Sequence, residues 1–225
     1  MTGLLTKDFR LLTQRKSTGI MFAGIALMLT FTMNASFVIS YFSLVGCLMA
    51  MSTLSLDQFD NGMAFMFTLP VTKKLYTAEK YIFSFLWLLG FWFVACVLQF
   101  GVMIVQKTEF NFFSVVLDDV MTLFFLSFII LIMIPINLKF GADKGRIVIL
   151  IIFAIAIIFV FLGEKILTFA TGAFGIDGMK FIIDTGNFIA SQPAYILALG
   201  TSGIFIAFTL ISLAISIHVM EKKEY

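Results

Sequence analysis

Five stretches of this chain run without a single Asp, Glu, Lys or Arg: 17–56, 81–106, 120–138, 147–163 and 185–220. A helix crossing a hydrocarbon layer of ~30 Å needs about 20 apolar residues, and water offers no fold in which so many consecutive uncharged residues are all covered. The first stretch has room for two crossings, with a turn at Asn34, where Thr32 and Ser36 help satisfy freed backbone groups. The next three supply one crossing each. The last opens as a loop through Asn187, Ser191, Gln192 and Pro193 and continues as a helix from Ala194 to about Val219. The expectation is an all-α integral membrane protein, a single transmembrane domain over residues 1–225 with six transmembrane helices.

Composition removes the alternatives. Only 12% of the 225 residues are charged and 61% are hydrophobic, with 29 Phe among them; a soluble domain carries about 25% charged residues. That excludes a soluble enzyme and a disordered chain. A net charge of +2 attracts phosphate only weakly, so no nucleic acid is expected as a partner. The two cysteines, Cys47 and Cys96, sit inside uncharged runs and read as small core residues. One histidine, His218, is too little for a zinc site, and no HExxH, GxSxG or Gly-rich phosphate loop occurs. No catalytic residue, metal ligand or cofactor site is expected on this chain.

Basic residues set the orientation. With six crossings, Lys7, Arg10, Arg15, Lys16, Lys73, Lys74, Lys80, Lys139, Lys144, Arg146, Lys222 and Lys223 share one side, and only Lys107, Lys165 and Lys180 lie on the other. Both termini are therefore expected in the cytoplasm. The first 16 residues do not read as a cleavable signal peptide. Leu5, Phe9 and Leu12 recur at i, i+4 and i+7 while Lys7, Asp8 and Arg10 turn elsewhere, the pattern of an interfacial amphipathic helix over 1–16.

Three further regions carry information. The inner loop 57–80 exceeds the usual helix connector of about 2–8 residues. It holds Asp57 and Asp60, an Asn61-Gly62 turn, the apolar patch Met63, Phe65, Met66 and Phe67, then Leu69-Pro70 and the pair Lys73-Lys74. The patch suits either a dip into lipid or a docking knob for another protein. The segment 164–193 is punctuated by Gly172, Gly175, Gly178 and Gly186; its apolar pieces are too short to span, which points to interfacial or re-entrant helices at the outer face. Within the crossings, acids are scarce: Asp118 and Asp119 fall at the outer start of the fourth helix, where they are expected to stay wet. Without a buried acid to couple to an ion gradient, the motive force is expected from outside the chain. Pro135 and Asn137 are expected to kink or stop that helix at its inner end.

The order Asp60, Asn61, Gly62, apolar patch, Leu69, Pro70, Val71, Lys73, Lys74, then Glu79, Lys80 and Tyr81 entering a helix resembles the ABC-2 type permeases. The opening Leu5, Lys7, Asp8, Phe9 and Leu12 resembles that family's interfacial helix, and the resemblance covers the whole chain. It is similar in size to small six-helix permeases of bacterial exporters for amphipathic peptides, such as the phenol-soluble modulin exporter. The resemblance implies a short cytoplasmic coupling helix between helices 2 and 3 that docks on a separate ABC ATP-binding subunit, with ATP and Mg held on that subunit. The docking set it implies is Asp57, Asp60, Asn61, Gly62, Phe65, Met66, Phe67, Leu69, Pro70, Lys73 and Lys74, with Phe65, Met66 and Phe67 as buried contacts. It further implies a bacterial plasma membrane location and a second copy of the chain, or a related permease, as partner. Membrane lipid is the other partner, and a cavity of Phe, Met, Ile and Thr would favour hydrophobic or amphipathic cargo. A membrane-embedded sensor or assembly protein holding a soluble partner on the same loop is the alternative.

Overall fold

The computed structural model describes residues 1–14, 21–22, 24–25, 28, 35–58, 62–107, 111–141, 144–145, 147–155, 157–158, 162–163, 165 and 194–223. Every element among them is an α-helix: α1 Thr2–Gln14, α2 Ala35–Gln58, α3 Gly62–Thr68, α4 Lys73–Gln106, α5 Phe112–Phe140 and α6 Ala194–Lys222. Residues 147–155 and 157–158 are also helical. In lipid a backbone must satisfy its own polar groups, and a helix does so within one segment. Four described helices are long and apolar enough to cross: Phe37–Gln58, Lys73–Gln106, Phe112–Phe140 and Gly200–Lys222. The expected turn at Asn34, nearly all of the first crossing, and the outer segment 164–193 apart from Lys165 lie outside the described residues.

The chain divides into two compact units, Met1–Gly145 with Ser212–Tyr225, and Arg146–Ile211. In the first unit, α2 packs chiefly on α4 and less extensively on α5, and α1 lies on α4 and α2. The α2–α4 crossing is close because Gly46 faces Phe91: a Cβ at Gly46 would stand 2.5 Å from the Phe91 Cβ. Small residues allow this approach where no hydrophobic force distinguishes a neighbouring helix from lipid. Polar groups fasten the rest. Tyr81 on α4 bonds to Ser212 and Ser216 of α6 at 2.6 and 2.8 Å, and the Ser212 hydroxyl donates to the Leu131 carbonyl of α5 at 2.5 Å.

Helix ends differ from the sequence expectation in instructive ways. α4 begins at Lys73, so Lys73–Lys80 form its first two turns rather than the end of a loop. Thr72 caps it, its hydroxyl accepting from Leu75 N. At about 1.5 Å per residue its 34 residues span roughly 50 Å, well beyond the hydrocarbon layer. α5 runs through Pro135 and stops at Phe140; Gly141 (φ 82°) closes it by donating its N–H to the Asn137 carbonyl. On α1 the packed face also departs from the apolar pattern: Asp8 is fully buried with Leu12, and Phe9 is exposed. The reason is electrostatic, because α4 presents a buried cation at that place.

The Gly46 geometry gives a direct expectation. Gly46→Ala should lower stability by about 1–3 kcal/mol, since Phe91 cannot retreat without moving its backbone. Gly90→Ala, where nothing lies within 4 Å of the added carbon, should leave stability unchanged or raise it. Thermal unfolding in detergent, followed by circular dichroism, checks both.

Candidate functional site

The middle of α1, the end of α2 and the first turns of α4 meet around a closed ring of alternating charge. Lys7 on α1 approaches Asp57 at the end of α2 (2.6 Å) and its neighbour Asp8 (3.1 Å). Lys80 on α4 contacts Asp57 at 2.6 Å and also pairs with Asp8. Lys80 and Asp8 are both 0% exposed in their side chains. Tyr76, one turn before Lys80, donates its hydroxyl to Asp57 at 3.0 Å, and the Lys80 ammonium sits 5.2 Å from the Tyr76 ring centre. The ring itself sums to zero charge, which makes so deep a burial tolerable. Glu79 lies beside it, fully buried, with neither carboxyl oxygen hydrogen-bonded and its nearest described cation, Lys80, at 4.0 Å. Side chains up to 72 positions apart in the chain close the ring.

The short helix α3 is built on this foundation. Gly62 starts it hard against the end of α2, where an added Cβ would stand 2.8 Å from the Asp57 carbonyl oxygen. Glycine is required there by close approach to backbone. Met63 and Met66 turn inward, and the Phe67 ring packs edge-on against Tyr76 with centroids 5.9 Å apart. Phe65 projects outward, 70% exposed, followed by exposed Leu69. After the Leu69-Pro70 bend, Lys73 donates to the Lys223 carbonyl (2.5 Å) and Lys74 pairs with Glu221 (3.3 Å), holding the last turn of α6. A cation at a helix C-terminus offsets the orphaned carbonyls there.

The expected docking residues therefore separate into kinds. Phe65, Leu69 and Pro70 are exposed at the surface. Met66 is only 7% exposed because it packs within this chain, and Phe67 is half-buried on Tyr76. Asp57 is an interior anchor of the charge ring, Gly62 a close-approach position, and Lys73 and Lys74 hold α6. Asp60 and Asn61 lie outside the described residues. The participation of Asp8, Lys7 and Tyr76 escaped sequence reasoning; the one signal was unequal charge within an otherwise apolar-faced α1.

A second polar site departs from expectation. Asp119 is 2% exposed, not wet. It lies two turns into α5 against α4, where the Trp92 indole donates to its backbone carbonyl at 2.9 Å and the Cys96 thiol stands 4.0 Å from its carboxylate. The buried Gln99 lies one turn further along α4. Sequence position near a helix start does not reveal a neighbouring helix that covers it. Among the described residues, no group of three or more His, Cys, Asp or Glu is placed to hold a metal ion.

Lys80→Met should destabilise the protein by about 3–5 kcal/mol, because Asp8 and Asp57 would remain buried with one cation fewer. Adding Asp8→Asn to that variant should restore part of the loss. Comparing the two single variants with the double variant in thermal unfolding measures the coupling.

Comparison with protein families matches residues 3–221 to the family described as ABC-2 family transporter protein. Comparisons with curated proteins and with solved structures give no match. The matched family is a transport component that works with an ABC ATP-binding partner. Nearly the whole chain is covered, its described helices include four of membrane-spanning length, and so this protein belongs to the ABC-2 family as a multi-pass permease of an ABC transporter.

Proposed function

We propose that this chain is the permease of an ATP-driven exporter, and that α3 is the coupling helix on which the ATP-binding subunit docks. The observation that carries this reading is the stance of α3. One large aromatic, Phe65, faces outward from a helix whose Met63 and Met66 are buried and whose Phe67 is half-buried on Tyr76 in the same chain. A partner gripping Phe65 takes hold of a helix bedded on Tyr76 and, through Tyr76, on the charge ring. Displacement of α3 then passes to α4 and, through Lys73 and Lys74, to the end of α6. ATP and Mg belong to the partner, which supplies the differential affinity for two states that drives alternating access.

Two copies related by a two-fold axis would enclose the path. The many Phe, Met and Ile side chains on the described helices and the scarcity of charge between helix ends favour hydrophobic or amphipathic cargo, amphipathic peptides first. The direction is outward, with both termini and α3 on the cytoplasmic side of a bacterial plasma membrane.

Phe65→Ser should abolish co-purification with the ATP-binding subunit and ATP-driven export while leaving detergent stability unchanged, because Phe65 is exposed. Undiminished export by a stable Phe65→Ser variant overturns the docking role. A cysteine placed at Thr72 should react with an impermeant thiol reagent only after the membrane is opened. Labelling on intact cells would put α3 outside and remove the reading.

A further inference from the structure

We infer that α1 and α4 together form a binding site for one anionic phospholipid of the inner leaflet. Two grooves meet at Thr6. One, of 560 Å³, runs along the polar side of α1 and is lined by Thr2, Thr6, Lys7, Arg10 and Gln14 among others. The other, of 380 Å³, lies between α1 and α4 and is walled by Leu5, Phe9, Phe83, Leu86 and Trp87. The first presents the exposed Arg10 guanidinium beside Thr2, while the Thr6 hydroxyl donates to the Thr2 carbonyl, and the second is almost wholly apolar. This is the division between a phosphate headgroup and an acyl chain, in adjoining spaces.

The charges are not equivalent. Lys7 is committed to Asp57 and Asp8 in the charge ring. Arg10 is exposed and forms no ion pair among the described residues. Its guanidinium is suited to phosphate by its fork of donors, with the Thr2 and Thr6 side chains on the same face. The apolar groove has a rigid aromatic wall: Trp87 stacks on Phe83 and meets Phe9 edge-on, both at 5.7 Å between centroids. Phe9 and Leu86 are more than half exposed; an acyl chain lying in the groove would cover both. A zwitterionic lipid would fill the same groove but gain little from Arg10, whose charge its own choline or ethanolamine opposes. The site therefore selects for net negative charge in the headgroup, and its occupant ties the position of α1, and with it Asp8 and Lys7, to the inner membrane surface.

The two tryptophans of the chain are Trp87 and Trp92, so a quencher on an acyl chain reports on the groove. The test uses the purified full chain in mixed micelles containing phosphatidylglycerol or phosphatidylcholine with brominated acyl chains. Quenching should reach half-maximum at about a fivefold lower mole fraction of the brominated phosphatidylglycerol, the worth of one basic side chain at an anionic surface. Arg10→Gln should erase the difference and leave quenching by the phosphatidylcholine unchanged, whereas Arg10→Lys should retain it in part. In Trp92→Phe, which leaves Trp87 alone, the preference should persist; if that variant does not fold, the comparison of wild type with Arg10→Gln decides by itself. Equal quenching by the two lipids in the wild type, or a preference that survives Arg10→Gln, overturns the inference.

Discussion

The charge ring of Lys7, Asp57, Lys80 and Asp8 is the interaction on which the junction of α1, α2 and α4 depends. Burying four charges is costly, and their mutual attraction offsets the cost only when every partner is present in close geometry. The arrangement is therefore intolerant of partial disassembly. It demands α1, the end of α2 and the second turn of α4 in one place at once. An apolar contact at the same position would slide; a closed ring of alternating charge fixes register.

Around the ring, contacts between helices form a continuous path. Tyr76 joins the ring to α3 through Phe67, and Asp57 joins α2 to Tyr76. Further along α4, Tyr81 reaches Ser212 and Ser216 on α6, and Ser212 reaches α5. Apart from the Phe67–Tyr76 ring contact, the links in this path are polar side chains. That follows from the medium, since apolar contacts between helices compete with equally apolar lipid, whereas a hydrogen bond has no substitute in hydrocarbon.

Some of this architecture was legible in the chain. Four of the six expected crossings stand among the described residues as helices long and apolar enough to span. The Asn61-Gly62 turn signal anticipated a glycine position; its cause is the Asp57 carbonyl, a contact sequence does not display. The short helix expected within 57–80 is present as α3, whereas the reach of α4 back to Lys73 is not legible in the chain. Lys73–Lys80 suggest a loop by their charges, whereas a 34-residue helix carries those charges past the apolar layer. Asp8 read as the solvent side of an amphipathic helix and is its buried anchor; Asp119 read as wet and is covered by Trp92. Each error has the same root: polarity predicts what a residue needs, not which neighbour supplies it.

The sequence by itself determined that the chain is a membrane protein, that at least four of its segments are long and apolar enough to cross, and that the segment 57–80 is too rich to be a linker. Those are properties of transfer between water and lipid, and they accumulate locally along the chain. Only the tertiary structure decided which acids are buried, that Met66 faces inward while Phe65 faces out, and that Lys7, Asp8, Asp57 and Lys80 meet. A charge is stable in the interior only beside its counter-charge, and the distance between residues 8 and 80 is set by how three helices pack, which no local pattern records.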